Sequence, residues 1–206
     1  MLERLLILVG IVCLGYFAYV TAETALYQAY ETRELDAILA GAPEPGPAVA
    51  TTVEVTPPIE RTLPPRAALA SGSLLGRLEI PRLHVSAIVR AGSDARTLRL
   101  AIGHILGTAL PGERGNVGLA AHRDTFFRPL AGIRKGDTVL VTTPDGVHRY
   151  RVYATRIVAP TEVSVLRAGH QSQLTLVTCY PFDFVGSAPQ RFIVQAELTP
   201  PSLVRF

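Results

Sequence analysis

Cysteine is nearly missing from this chain: 206 residues hold two, Cys13 and Cys179. Two such distant cysteines exclude a disulfide-stapled scaffold, and neither belongs to a C-x-x-C pair. H-E-x-x-H is absent as well, so the residues offer no metal site and imply no cofactor. Without G-x-S-x-G there is no serine nucleophile elbow. "GTALPGERGNVG", Gly107 to Gly118, is rich in glycine but lacks a Lys-Ser/Thr ending, so it reads as a turn rather than a phosphate cradle. Charge of one sign never runs in a block. Twenty basic residues against 17 acidic ones leave a net charge of +3, without the clustered basic face that nucleic acid requires. Repeats and low-complexity tracts are absent outside one proline-rich stretch.

What is present begins with "LLILVGIVCLGYFAYVTA", Leu5 to Ala22, eighteen residues without a charge. As a helix, that length just spans about 30 Å of hydrocarbon. Arg4 precedes it, and Glu23, Glu31 and Glu34 follow. Positive-inside logic then leaves the N-terminus in the cytoplasm and exports the rest. The rival is a cleaved signal peptide, because Val20-Thr21-Ala22 has the small residues of a cleavage site. The long apolar stretch and thin charged flank favour an uncleaved anchor over residues 1–22. A buried core helix fits poorly, since the segment is apolar on every face.

Three further regions follow. Residues 23–40, rich in helix formers, read as a juxtamembrane helix ended at Gly41. Residues 41–70 hold seven prolines and read as an extended, semi-rigid tether lifting the rest from the membrane. Residues 71–198 read as one β-rich domain, with residues 199–206 as a C-terminal tail. "LLGRLEI" and "HVSAIV" are short strands split by Pro81-Arg82. "TVLVTT" and "VHRYRVYATRIV" flank Pro144-Asp145-Gly146, a hairpin signal. "LTLVTC" and "RFIVQAEL" add two more, and "DARTLRLAIGHI" is the best helix candidate in the domain. Many short strands with little helix indicate a barrel or a sandwich.

Export changes the meaning of Cys179. Cys13 lies in the apolar segment, so Cys179 has no partner in its own chain. It closes the strand Leu174 to Cys179, where alternation groups Thr175, Val177 and Cys179 on one face. A lone free cysteine is commonly a buried packing residue. At the end of a strand it is also well placed as a nucleophile, held by the sheet yet open to a cleft. Both readings stand on the residues alone. A thiol attacking a carbonyl works as the thiolate, favoured by a nearby cation, and needs a general acid for the leaving group. Histidine is the usual acid, and there are five. His84 and His148 flank turns and read as solvated; His170 lies in a loop; His104, in "AIGHILG", is hard to place. His122 ends the apolar "NVGLAA" and so occupies another strand end. Arg191 opens "RFIVQAEL", whose apolar face is Phe192, Val194, Ala196 and Leu198. On pattern alone it is a solvated strand arginine. The alternative is a fixed guanidinium fork aimed at developing negative charge.

At these residues the chain resembles the sortases, membrane-anchored cysteine transpeptidases. "TLVTC", Thr175 to Cys179, matches their T-L-x-T-C signature. "CYPFDFVGSAPQRFIV" and "GTALPGERGNVGLAAHRDTFFRPL" resemble class D sortases and the related Gram-negative type. The resemblance covers residues 71–198. One departure is visible: Ala121 stands where a glycine usually precedes the family histidine, which is harmless unless that position needs positive φ.

The resemblance implies an all-β domain, an eight-stranded sortase-type β-barrel with short helices behind an N-terminal transmembrane helix and Pro-rich linker. It implies Cys179 as nucleophile, His122 as general acid and base, and Arg191 as oxyanion or substrate stabiliser. Thr178 beside the nucleophile would line the substrate groove, and His104 would support it from behind. The partners implied are an exported protein with a C-terminal Leu-Pro-x-Thr-Gly-like sorting signal, an amine acceptor from cell-wall peptide or protein, and the cytoplasmic membrane, on whose outer side the domain would work. Two alternatives keep the same groove: a non-catalytic peptide-binding module, and a thiol hydrolase in which water resolves the thioester.

Overall fold

The computed structural model describes residues 2–41, 70–169 and 171–199. Helix α1 runs without a break from Leu2 to Gly41. At about 1.5 Å per residue it is roughly 60 Å long. It is the one described helix long and apolar enough to cross a membrane, and none of its apolar window is buried in the protein. The anchor and juxtamembrane helix read from the sequence are therefore one rod. The expected proline tether of residues 41–70, apart from its two end residues, lies outside the described residues, as do most of the tail and His170.

The remainder forms a closed barrel of eight strands, β1 Leu74–Ile80, β2 Val85–Ala91, β3 Ile102–His104, β4 Gly115–Ala120, β5 Thr138–Thr143, β6 Gly146–Val158, β7 Ser172–Tyr180 and β8 Gln190–Leu198. They close in the order β1-β2-β3-β4-β7-β8-β6-β5. Most neighbours are antiparallel; β2–β3 and β4–β7 are parallel. A parallel pair needs a crossover. Between β2 and β3 the helix α2, Ala95–Leu100, supplies it. Asp94 caps this helix, accepting from the backbone N–H of Arg96 and Thr97. The Thr97 N–H, followed by the Thr97 hydroxyl, leads in holding its carboxyl well below the ordinary range, at about 2.

Period-two alternation fills the interior. Leu174, Leu176 and Thr178 of β7 point inward, as do Val117 and Leu119 of β4 and Val194 and Ala196 of β8. Tyr150 and Phe127 are the largest fully buried side chains. The outer face at β4 and β7 is roofed by the segment before β7. There Asn116 donates to the Val165 carbonyl, and Thr175 donates to Asn116 Oδ1.

Two sequence readings need correction. "DARTLRLAIGHI" is helical only to Leu100; its second half is β3, drawn into the sheet by pairing with β2 and β4. His148 is half-buried rather than solvated. Its ring sits where a Gly112 Cβ would be, and burial pushes the imidazole below its ordinary value.

The second half of α1 packs on the barrel. Gln28 Nε2 donates to the Leu100 carbonyl at 2.6 Å, while Gln28 Oε1 accepts from the Ile88 N–H at 2.9 Å. Strand β3 pairs only with Val89–Ala91, so β2 before that point lacks a neighbour on this side. The amide of Gln28 fills the gap. Leu35 is fully buried against Ile88 and Ala101, and Arg90 pairs with Glu31 at 2.6 Å while lying over the Tyr27 ring.

Candidate active site

The site is a consequence of register. Strands β7 and β8 are antiparallel, and Cys179 lies directly opposite Arg191. Side chains of such cross-strand pairs are close neighbours, with Cβ atoms roughly 5 Å apart. Strands β4 and β7 are parallel, paired from Gly115↔Ser172 to Ala120↔Val177. Continuing that register by two residues sets His122 beside Cys179. One cysteine strand is thus flanked by histidine on one side and arginine on the other.

Two hydrogen bonds hold the continuation. The Ala121 N–H donates to the Val177 carbonyl at 3.2 Å, and Thr178 Oγ1 donates to the Ala121 carbonyl at 2.8 Å. With Thr178 turned inward, Cys179 faces out, and so does His122, two residues beyond Ala120. Residue 121 accommodates alanine without strain, since among the described non-glycine residues only His84 has positive φ.

His122, Cys179 and Arg191 line one hollow of about 330 Å³ with Arg123, Asp124 and Gly186–Ala188. Arg191 Nη1 donates to the Gln190 carbonyl at 2.9 Å and to the Ala188 carbonyl at 3.3 Å. That fixes one arm of the fork against its own backbone. Among the described residues no carboxylate lies within ion-pair distance of Arg191 or Arg123. Two guanidiniums therefore face the thiol's hollow against the single carboxylate of Asp124. A thiol, an imidazole and the Arg191 fork in one open hollow can attack a carbonyl, protonate a leaving amine and stabilise an oxyanion. A larger hollow of about 440 Å³, between α1 and α2, is lined by neither cysteine nor histidine.

Thr178 and His104 stand elsewhere. Thr178 is 3% exposed, and its hydroxyl is committed to Ala121. His104 is buried on β3, its Nε2 2.9 Å from the Ala109 carbonyl and 3.0 Å from Thr108 Oγ1. Neither lines the hollow. No described group of histidines, cysteines and carboxylates could hold a metal ion. Sequence reasoning missed Arg123, although it directly follows His122. Nothing in a charged residue within a turn marks it apart from a solvated one.

The comparisons point to one family and one fold. A family model described as a sortase domain matches residues 78–199. Sortase D of Bacillus subtilis is 36% identical over 125 residues, covering 60% of this chain and 63% of that protein. The chain thus matches somewhat under two thirds of that relative's length. Among solved structures, a Clostridium perfringens Sortase D5 transpeptidase superposes with a TM-score of 0.59 at 28% identity, over 64% of this chain and 82% of that one. Sortase C-1 from Actinomyces oris gives 0.56 at 33% identity, over 61% and 73%. With the barrel, the register and the matched domain in accord, this chain belongs to the sortase family.

Proposed function

We propose that the protein is a membrane-anchored cysteine transpeptidase. It cleaves a Leu-Pro-x-Thr-Gly-like sorting signal of an exported protein and passes the acyl group to an amine. The observation that carries this reading is the alignment of His122 just past β4, Cys179 on β7 and Arg191 on β8 around one hollow.

In the first half-reaction Cys179 Sγ, as thiolate, bonds to the threonine carbonyl carbon. The carbonyl electrons move onto oxygen, and the Arg191 fork stabilises that charge. When the oxyanion collapses, the C–N bond breaks. His122, as imidazolium, gives its proton to the departing glycine amine, leaving a thioester. In the second half an acceptor amine bonds to the same carbon and loses a proton to His122. Cys179 leaves as thiolate, and the starting protonation states return. Thr178 serves from beneath the site by fixing the Ala121 carbonyl, and His104 serves from β3 by bracing the loop that precedes β4.

The membrane assignment rests on α1. Its apolar first half spans the cytoplasmic membrane once, with the N-terminus inside and the barrel outside. A single helix from span to docked half supports an anchor that stays attached. The acceptor is cell-wall peptide or protein.

The test is intact-mass spectrometry of the full chain in micelles, with a pool of Leu-Pro-x-Thr-Gly-like peptides and with or without an added amine. The expected result is a mass increase on Cys179 that the amine discharges as ligated peptide. Cys179→Ala should form no adduct while remaining folded; ligation by that variant would sink the proposal. Discharge by water alone, even with amine present, would mark a hydrolase. An inert thiol with retained peptide binding would mark a binding module.

A further inference from the structure

Arg123 has no place in the scheme above, yet it is the most heavily engaged side chain around the hollow. Its guanidinium donates to the Pro181 carbonyl at 2.9 Å, to the Phe184 carbonyl, and to the Gly186 carbonyl at 3.0 Å. It also lies 5.9 Å from the centre of the Phe184 ring, within cation–π range. All these partners belong to one segment, residues 181–189, which joins β7 to β8.

Phe182 anchors the start of that segment, packed on the core and edge-on to the Tyr180 and Phe192 rings; past Phe182 little else holds it. Val185 is 93% exposed and Phe184 43% exposed. Beyond Arg123, its hydrogen bonds are the Phe184 N–H to the Pro181 carbonyl at 3.5 Å and Arg191 Nη1 to the Ala188 carbonyl at 3.3 Å. Segments with few buried apolar contacts open readily unless tied. Yet Gly186, Ser187 and Ala188 form one wall of the hollow that holds Cys179. A wall built from a poorly buried loop keeps its shape through whatever fastens it.

We infer that Arg123 is a positioning residue that clamps the β7–β8 loop to the histidine-bearing turn and so fixes the wall against which the peptide substrate lies. The inference rests on the proposed transpeptidase reading for its substrate and on hydrogen bonding for its geometry. The chemistry suits arginine alone. Three carbonyls spread over six residues need several N–H donors in a fixed plane, which guanidinium has and a point-like ammonium lacks. The clamp acts on binding rather than on the chemical step. Arg191 stands on β8 and Cys179 on β7, so both keep their register if the loop loosens, and the shorter bond from Arg191 Nη1 to the Gln190 carbonyl, itself on β8, survives loss of the Ala188 contact.

The full chain in lipid nanodiscs, as wild type, Arg123→Ala and Arg123→Lys, gives two separate readouts. Amide hydrogen exchange over residues 182–189 should quicken by roughly 10- to 100-fold in both variants, while β7 and β8 keep their protection. Steady-state ligation should show KM raised by about tenfold or more in both variants, with kcat within about threefold of wild type and the pH profile of kcat unmoved. Guanidinium ion at about 50 mM should restore part of the lost KM in Arg123→Ala and none in Arg123→Lys, whose ammonium occupies the site. Unchanged exchange in Arg123→Ala overturns the clamp. Faster exchange with an unchanged KM overturns its role in peptide binding. A fall in kcat with a shifted pH profile overturns positioning in favour of direct action on His122. If the wild type ligates no peptide, the transpeptidase reading fails, while the exchange result still decides the clamp.

Discussion

Thr178 and Cys179 are adjacent in sequence and turned to opposite faces of β7. The threonine bonds inward to the carbonyl before His122; the cysteine faces out beside that histidine. Because Thr178 is 3% exposed, replacing its hydroxyl removes a bond rather than a surface contact. Thr178→Val should cost about 1–2 kcal/mol of stability, the usual worth of one buried hydrogen bond whose partner is left unmet. Its larger effect should be kinetic. A displacement of about 1 Å at a reacting group can cost around 100-fold, so kcat for ligation should fall by roughly 10- to 100-fold with KM little changed. Wild-type kcat in Thr178→Val would mean the Ala121 carbonyl is held by the backbone alone. Arg191 makes the complementary case. Its Nη1 is fixed by two backbone carbonyls, so its orientation depends on the planar fork. Arg191→Lys keeps the charge and loses the plane. Ligation should drop by about 100-fold or more in kcat/KM, the scale of losing one oxyanion donor. A mild loss would show that charge alone suffices there.

At the scale of elements, turns are stapled to one another by charge. Arg82, in the turn between β1 and β2, donates from Nε and Nη2 to both oxygens of Asp137, each at 2.6 Å. Asp137 also accepts from the Arg134 N–H just before β5. The Arg82 bonds lead in holding the Asp137 carboxyl below its ordinary value, against its burial. A lowered carboxyl pKa means that the unfolded chain binds more protons as pH falls. The stability it adds is complete above about pH 4 and fades as pH drops through the lowered value. Asp137→Asn should cost roughly 2 kcal/mol near pH 7, less than a fully buried pair because Arg82 is partly exposed. Urea unfolding at about pH 7 and about pH 2 should show the gap narrowing in acid; an equal gap at both would refute the pairing account.

The same scale shows what could be read from the sequence. The strands around the Pro144–Gly146 turn and the pair ending in Cys179 and beginning at Arg191 were legible, because alternation and turn residues are local signals. Cys179 and Arg191 belong to adjoining strands, yet on pattern alone Arg191 read as a solvated strand residue, so their meeting was only half legible. His122 beside Cys179 was not legible at all, since parallel pairing of β4 with β7 spans a long stretch of chain and leaves no local mark. Resemblance supplied both contacts. The second half of "DARTLRLAIGHI" misled for a related reason. Ala95 to Leu100 follow helical chemistry, but Ile102–His104 become strand only because β2 and β4 present edges there.

For the whole molecule, the decisive feature is how α1 meets the barrel. A proline-rich tether implies a domain free to wander above the membrane. The docked half of α1 implies the opposite, because Gln28, Glu31 and Leu35 bind β2 and its neighbours on the same continuous helix whose apolar first half is long enough to cross a bilayer. With that half in a bilayer, as proposed, the barrel would be mounted on its anchor and the hollow carried at a set height over the lipid surface. Gln28 also completes the sheet where β2 lacks a strand partner, so removing the helix exposes an edge as well as an apolar patch. Leu35→Ala in the full chain should cost about 3 kcal/mol, as for other fully buried leucines, and lower Tm by roughly 10 °C. A chain beginning at residue 70 should be destabilised further and should lose protection at the Ile88 amide, whose acceptor is Gln28. If Leu35→Ala melts with the wild type and the Ile88 amide is equally protected in the shortened chain, the helix is not docked in solution. The barrel would then be free to range over its clients, and peptide capture would depend on the reach of the chain between Gly41 and β1 instead of on the mount.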